Sequence, residues 1–269
     1  MLVGALFLAS CGGSPQGSSG EAPSSVAPST TPVPPPTTVP PDPVGLFGDS
    51  LAWEAEPFYE RLLADAGTPP VRVATFGGTA ICDMLDDMAA LAAVIDLSAV
   101  HIAFSGNALT PCMAGYDPGT PEYFRKYRDD ALAAIAIFAP AGTRVFLVAP
   151  PVMTNAGSDD GRVQDGIGAV YKEIVFADRR RVSFVDAGAA VENPDGSYAR
   201  TLPCLPTEPC TGPVSTGVGT NIVRSADGVH FCPTRTGNEQ GLVERCPVHS
   251  SGAYRYALAM VTALGRDPR

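Results

Sequence analysis

Three residues of this chain have the types and spacing to do nucleophilic chemistry. Ser50 lies in Gly48-Asp49-Ser50-Leu51, and Asp227 and His230 share Asp227-Gly228-Val229-His230 far downstream. A serine hydroxyl is a poor nucleophile at neutral pH. It attacks a carbonyl when a histidine takes its proton and a carboxylate holds that imidazole in the right tautomer. The order Ser, Asp, His is one of several in which this arrangement occurs. Ser50, Asp227 and His230 are thus candidates for nucleophile, orienting acid and base of acyl chemistry that needs no metal and no cofactor.

Each has an ordinary alternative: Ser50 as a helix N-cap, Asp227 as a turn residue before Gly228, and His230 as a surface loop residue. What separates the readings is whether the fold brings them to one place. Short apolar runs alternate with longer amphipathic stretches, the pattern of an α/β domain with a parallel sheet. Strands are expected over 44–47, 71–75, 99–104, 144–149 and 182–186. Helices are expected over 54–66, 82–96, 121–138, 165–177 and 251–264. Ligand sites of such sheets lie at the carboxyl ends of the strands. There the chain places Gly48-Asp49-Ser50, Phe76-Gly77-Gly78-Thr79 and Ser105-Gly106-Asn107.

With these blocks in order, residues 44–269 resemble the SGNH hydrolase, or GDSL esterase, family. Gly48-Asp49-Ser50-Leu51 is similar to its nucleophile block, Gly77-Gly78 to its glycine block, Gly106-Asn107 to its asparagine block and Asp227-Gly228-Val229-His230 to its DxxH block. The resemblance implies a three-layer α/β/α sandwich around a mainly parallel five-stranded sheet, the flavodoxin-like fold of that family. It also implies an oxyanion hole made by the backbone N–H of Ser50, a backbone N–H of Gly77 or Gly78, and the side-chain amide of Asn107. Gly77 is favoured, with Thr79 two residues on. The usual GxND stands here as Ser105-Gly106-Asn107-Ala108, so its flanking positions differ.

Other polar residues read as structural. Asp49 is expected to bond within the nucleophile loop, and His101 belongs to a strand. His249 is the rival base, since it precedes the last helix, but it lacks an aspartate three residues before it. Arg179-Arg180-Arg181 reads as a solvated helix end.

The first 11 residues form a short apolar run ending at Cys11. Leu8-Ala9-Ser10-Cys11 resembles a bacterial lipoprotein lipobox, which implies lipidation of Cys11, although no Lys or Arg precedes the run. Residues 12–43 are rich in Pro, Ser and Thr, with Glu21 and Asp42 as their charges, and read as an extended tether.

Seven cysteines are present. Setting Cys11 aside leaves Cys82, Cys112, Cys204, Cys210, Cys232 and Cys246, an even set in an exported chain, for which disulfides are expected. Proximity pairs Cys204 with Cys210 and Cys232 with Cys246, leaving Cys82 with Cys112, where a bridge would lock the glycine and asparagine blocks together. A zinc site is disfavoured by the absence of CxxC spacing. The net charge of −10 argues against nucleic acid as a partner.

The expectation is a monomeric serine esterase acting on short-chain O-acyl esters of a small molecule, glycan or lipid. It would be exported and held at the outer face of the cell membrane by a lipid anchor alone. Two alternatives remain: an O-acyltransferase passing the acyl group to an envelope glycan or lipid, and an inactive envelope-anchored glycan-binding protein.

Overall fold

The computed structural model describes residues 43–68, 71–154, 162–215, 217–235 and 245–265. The expected signal segment, Cys11 and the tether up to residue 42 lie outside the described residues. Among the described residues no helix is long and apolar enough to cross a membrane.

Five parallel strands form the main sheet: β1 (Val44–Gly48), β2 (Arg72–Thr75), β3 (Ala99–Ala103), β4 (Arg144–Val148) and β5 (Val182–Val185), in the order β2-β1-β3-β4-β5. Every residue of β1 and β3 is buried, as a sheet covered on both faces requires. Successive side chains point to opposite faces, so Leu46, Phe146 and Val148 join one core. Phe47, Val145 and Leu147 join the other. The first core is completed by α1 (Ser50–Asp65) and α5 (Ser251–Ala263). The second is completed by α2 (Leu85–Ala92), α3 (Pro121–Phe138) and α4 (Arg162–Ala177). This is the expected three-layer α/β/α sandwich.

From β1 the chain crosses outward to β2 and then returns to β3 on the other side of β1. The loops after β1 and β3 therefore diverge at a topological switch point, where such sheets open a crevice. Ser50 follows β1, and Asn107 follows β3.

The helices depart from the sequence reading most at α1 and α2, and α4 begins at Arg162 rather than residue 165. α1 begins at Ser50 rather than residue 54, because the Asp49 carboxylate accepts from Leu51 N at 3.0 Å and caps the helix at once. The stretch expected as one helix over 82–96 is a 3₁₀ turn, Ile81–Met84, followed by α2, which stops at Ala92. The β-branched Val94 and Ile95 that follow are poor helix formers.

A second, antiparallel sheet has no counterpart in the sequence reading: β6 (Thr201–Pro203), β7 (Val214–Ser215) and β8 (Val218–Ile222), ordered β6-β8-β7. Its strands are short and polar, so no period stands out. The end of β8 delivers the chain to residues 223–230.

Candidate active site

The first turn of α1 sets the nucleophile. Gly48 is needed before it, since a Cβ there would lie 2.3 Å from the Ala52 Cβ and 2.5 Å from the Ala103 carbonyl oxygen. Asp49 is fully buried, and burial pushes its carboxyl pKa up against the hydrogen bonds that lower it. Its bonds come from two segments, the start of α1 and the loop after β3. Oδ1 accepts from Leu51 N, while Oδ2 accepts from Ser105 N at 2.6 Å, Ser105 Oγ, and Asn107 Nδ2 at 3.0 Å. One carboxylate thus joins the nucleophile and asparagine blocks.

The 225–230 loop supplies the other half. His230 Nδ1 donates to Asp227 Oδ2 at 2.7 Å, which leaves Nε2 as the unprotonated nitrogen that accepts from Ser50 Oγ at 3.0 Å. The Asp227 Oδ1 accepts from Ser225 Oγ, Val229 N at 2.8 Å and His230 N at 2.9 Å. Partial burial opposes the charge on Asp227, but these bonds outweigh it and hold its carboxyl well below the usual carboxylate range. Gly228 has φ of 75°, and a Cβ there would sit 1.9 Å from the Thr154 carbonyl oxygen, so this position demands glycine.

The two glycines of the glycine block have different surroundings, and both line the same cleft as Ser50. Phe76-Gly77-Gly78-Thr79 forms a tight turn in which Gly78 takes a φ of 81° and a Cβ on it would meet nothing within 4 Å. A Cβ on Gly77 would lie 3.8 Å from the Ser50 Cβ, so Gly77 is the one that borders the nucleophile. Among the described residues neither Ser50 N nor Gly77 N finds a hydrogen-bond partner. Asn107 Nδ2 is already shared between Asp49 Oδ2 and the Thr79 carbonyl at 3.1 Å. From beneath, Tyr123 and Tyr127 donate to the carbonyls of Gly106 and Asn107 at 2.7 and 3.0 Å.

A cleft of about 640 Å³ opens over these groups, lined among others by Ser50, Trp53, Phe76, Gly77, Asn107, His230 and Arg235. The three expected disulfides are present: Cys82–Cys112, Cys204–Cys210 and Cys232–Cys246. The first ties the turn after the glycine block to the turn after the asparagine block, and the third begins two residues after His230. Residues 236–244, between the cysteines of that third bridge, lie outside the described residues.

The remaining candidates are elsewhere. His249 Nε2 lies 3.4 Å from Glu208 Oε2, packs edge-on against Phe58 and does not line the cleft. Glu208 also receives Arg255 Nε at 3.0 Å, so this cluster fastens α5 to the disulfide loop near β6. His101 is fully buried, its Nδ1 lies 2.8 Å from the Tyr59 hydroxyl, and burial pushes its pKa down to about 3. It is a strand residue, as expected.

Sequence reasoning missed the residues that brace the 225–230 loop. Arg224 is fully buried, and burial pushes its pKa down to about 10. It donates to the carbonyls of Val229 at 2.7 Å and Val152 at 2.9 Å, and lies over the Phe231 ring at 5.0 Å. Glu54, on α1, bonds the chain just after His230. The signal was faint for both. Glu54 is a charge on the inner face of α1, visible only once the helix start is placed at Ser50.

No protein-family model matches this chain, and no curated protein matches it in sequence. Solved structures do match in shape. A Parabacteroides merdae protein described as GDSL-like superimposes with a TM-score of 0.56 at 15% identity, covering 86% of this chain and 99% of its own. An acetyl-xylooligosaccharide esterase of Geobacillus stearothermophilus gives 0.53 at 15% identity over 86% and 97%. An acetyl xylan esterase gives 0.53 at 15% identity over 82% and 99%. At that identity the likeness is one of fold: this chain shares the α/β architecture of these solved structures.

Proposed function

We propose that this chain is a serine esterase that cleaves short-chain O-acyl esters through an acyl-enzyme. The observation that carries this reading is the continuous relay from Ser50 Oγ through His230 to Asp227, 3.0 and 2.7 Å long, at the floor of an open cleft.

In this reading Ser50 Oγ attacks the ester carbonyl carbon as its proton passes to His230 Nε2. The resulting imidazolium is stabilised by Asp227, whose depressed pKa keeps it charged. The tetrahedral oxyanion is met by the N–H groups of Ser50 and Gly77 and by Asn107 Nδ2, which shares or releases its bond to the Thr79 carbonyl. Loss of one such donor costs about 3 kcal/mol of barrier. Collapse expels the alcohol, protonated by His230, and leaves the acyl group on Ser50. Water, deprotonated by His230, then hydrolyses the acyl-enzyme.

A second reading sends the acyl group to an alcohol of a glycan or lipid. The cleft is compatible with it, since about 640 Å³ holds a short acyl group together with an alcohol part beside Trp53 and Phe76. For location, the lipobox at Cys11, the proline-rich tether and three disulfides support export to an oxidising compartment and lipid anchoring at the cell envelope.

The test is turnover of chromogenic esters from acetyl to long acyl by the purified protein, with and without a sugar acceptor. Wild-type protein is expected to cleave short esters. Ser50→Ala and His230→Ala are expected to lose about 10⁴-fold or more. Acylated sugar would select the transferase reading, and a wild-type protein inert on every ester with and without acceptor would overturn both.

A further inference from the structure

Ser50 and His230 meet from segments 180 positions apart, so something must fix one against the other. Before His230, Asp227 Oδ1 holds the N–H groups of Val229 and of His230 itself. After His230, the next two N–H groups are held by Glu54: its Oε2 accepts from Phe231 N at 2.6 Å and Cys232 N at 3.0 Å. Its Oε1 accepts from Arg235 Nη1 at 2.8 Å. Glu54 stands four residues after Ser50, one turn along the same face of α1. Its side chain is only 4% exposed. A carboxylate so enclosed is costly unless each oxygen is bonded, and here each is.

We infer that Glu54 is a positioning residue, which sets the distance between His230 Nε2 and Ser50 Oγ by clamping the chain after the base to the helix that carries the nucleophile. His230 is bracketed by two carboxylates, and only Glu54 belongs to the element bearing Ser50. This inference rests on the esterase reading above. It adds to that reading the reason why two remote segments keep a 3.0 Å contact.

The Phe231 ring remains anchored without Glu54, since it is fully buried against Tyr256 and under Arg224. Glu54→Gln therefore tests register more than folding. Its single acceptor oxygen cannot serve both the backbone pair and Arg235, and its amide nitrogen adds a donor where only donors already point.

The experiment measures ester turnover and fluorophosphonate labelling of full-length wild type, Glu54→Gln, His230→Ala and the double variant, each below its own unfolding midpoint. The expected result is a fall in kcat and labelling rate of about 10- to 100-fold with KM within about twofold. On the residual rate of His230→Ala, the second substitution is expected to cost nothing further, because Glu54 acts through His230. Glu54→Gln at the wild-type rate, or a loss that adds in full to that of His230→Ala, overturns the inference and leaves the esterase reading standing. A wild-type protein that neither turns over esters nor is labelled overturns both. Should Glu54→Gln fail to fold, Glu54→Asp, which keeps the charge but withdraws it by one methylene, is read in the same way.

Discussion

Asp49 Oδ2 and Asn107 Nδ2 are 3.0 Å apart, so the residue that caps the nucleophile helix also holds the amide proposed to receive the oxyanion. The same oxygen takes the Ser105 N–H and hydroxyl. The consequence is that Ser50 and Asn107, on loops after β1 and β3, cannot shift independently.

Replacing Asp49 by Ala is expected to lower kcat on short esters by about 10- to 100-fold, as both Ser50 and Asn107 lose their anchor. Loss of the cap and of buried hydrogen bonds should also cost about 2–4 kcal/mol of stability. Chemical denaturation alongside steady-state kinetics checks both numbers. Unchanged kcat would show that Asp49 serves folding alone.

Tyr123 and Tyr127 are one turn apart on α3 and donate to adjacent carbonyls beneath the asparagine block. Tyr→Phe at either position removes one hydroxyl and no ring. Each is expected to cost about 1–2 kcal/mol of stability, through a buried carbonyl left without its donor. kcat is expected to fall more than KM rises. Thermal unfolding and kinetics of the two single variants provide the check.

The buried His101 should give the protein an acid-labile fold. In the native state burial pushes its pKa down to about 3, against 6.5 for a free histidine. Between those values the unfolded chain binds a proton that the native state refuses, so stability falls as pH drops from 6.5 toward 3. The slope from this residue approaches about 1.4 kcal/mol per pH unit. Asp227 works on a lower window. Its carboxyl is held below the 3.8 of a free aspartate, so its contribution is present above 3.8 and lost as pH falls further. Burial pushes the carboxyls of Asp49, Asp130 and Glu192 up, and their contributions oppose this trend, so the test is the difference between wild type and His101→Phe. Measured by denaturation from pH 7 to pH 4, the stability of wild type should fall relative to that of His101→Phe, and parallel curves would contradict the placement of His101.

The strands, the blocks that follow them and two of the three bridges were legible because they rest on local signals: apolar runs, Gly-rich turns and cysteine proximity; the third bridge, Cys82–Cys112, was the pair left over. Ser50, Asp227 and His230 were legible because few residue types perform that chemistry. What escaped depends on distance. Glu54 and Arg224 brace the His230 loop through contacts with backbone groups, and a carbonyl or N–H leaves no mark in the sequence. The difference between Gly77 and Gly78 also needed geometry, since a Cβ on Gly77 would lie 3.8 Å from the Ser50 Cβ while one on Gly78 would meet nothing within 4 Å. The small β6-β8-β7 sheet was invisible for a simpler reason, being too short to show a period.

The central claim, that Ser50 is the nucleophile of this cleft, is tested most directly by intact mass and peptide mapping after reaction with a fluorophosphonate. A single phosphonyl adduct on Ser50 is expected in the wild-type protein and none in Ser50→Ala. An adduct that maps to another residue, or no adduct on folded wild-type protein, would contradict it.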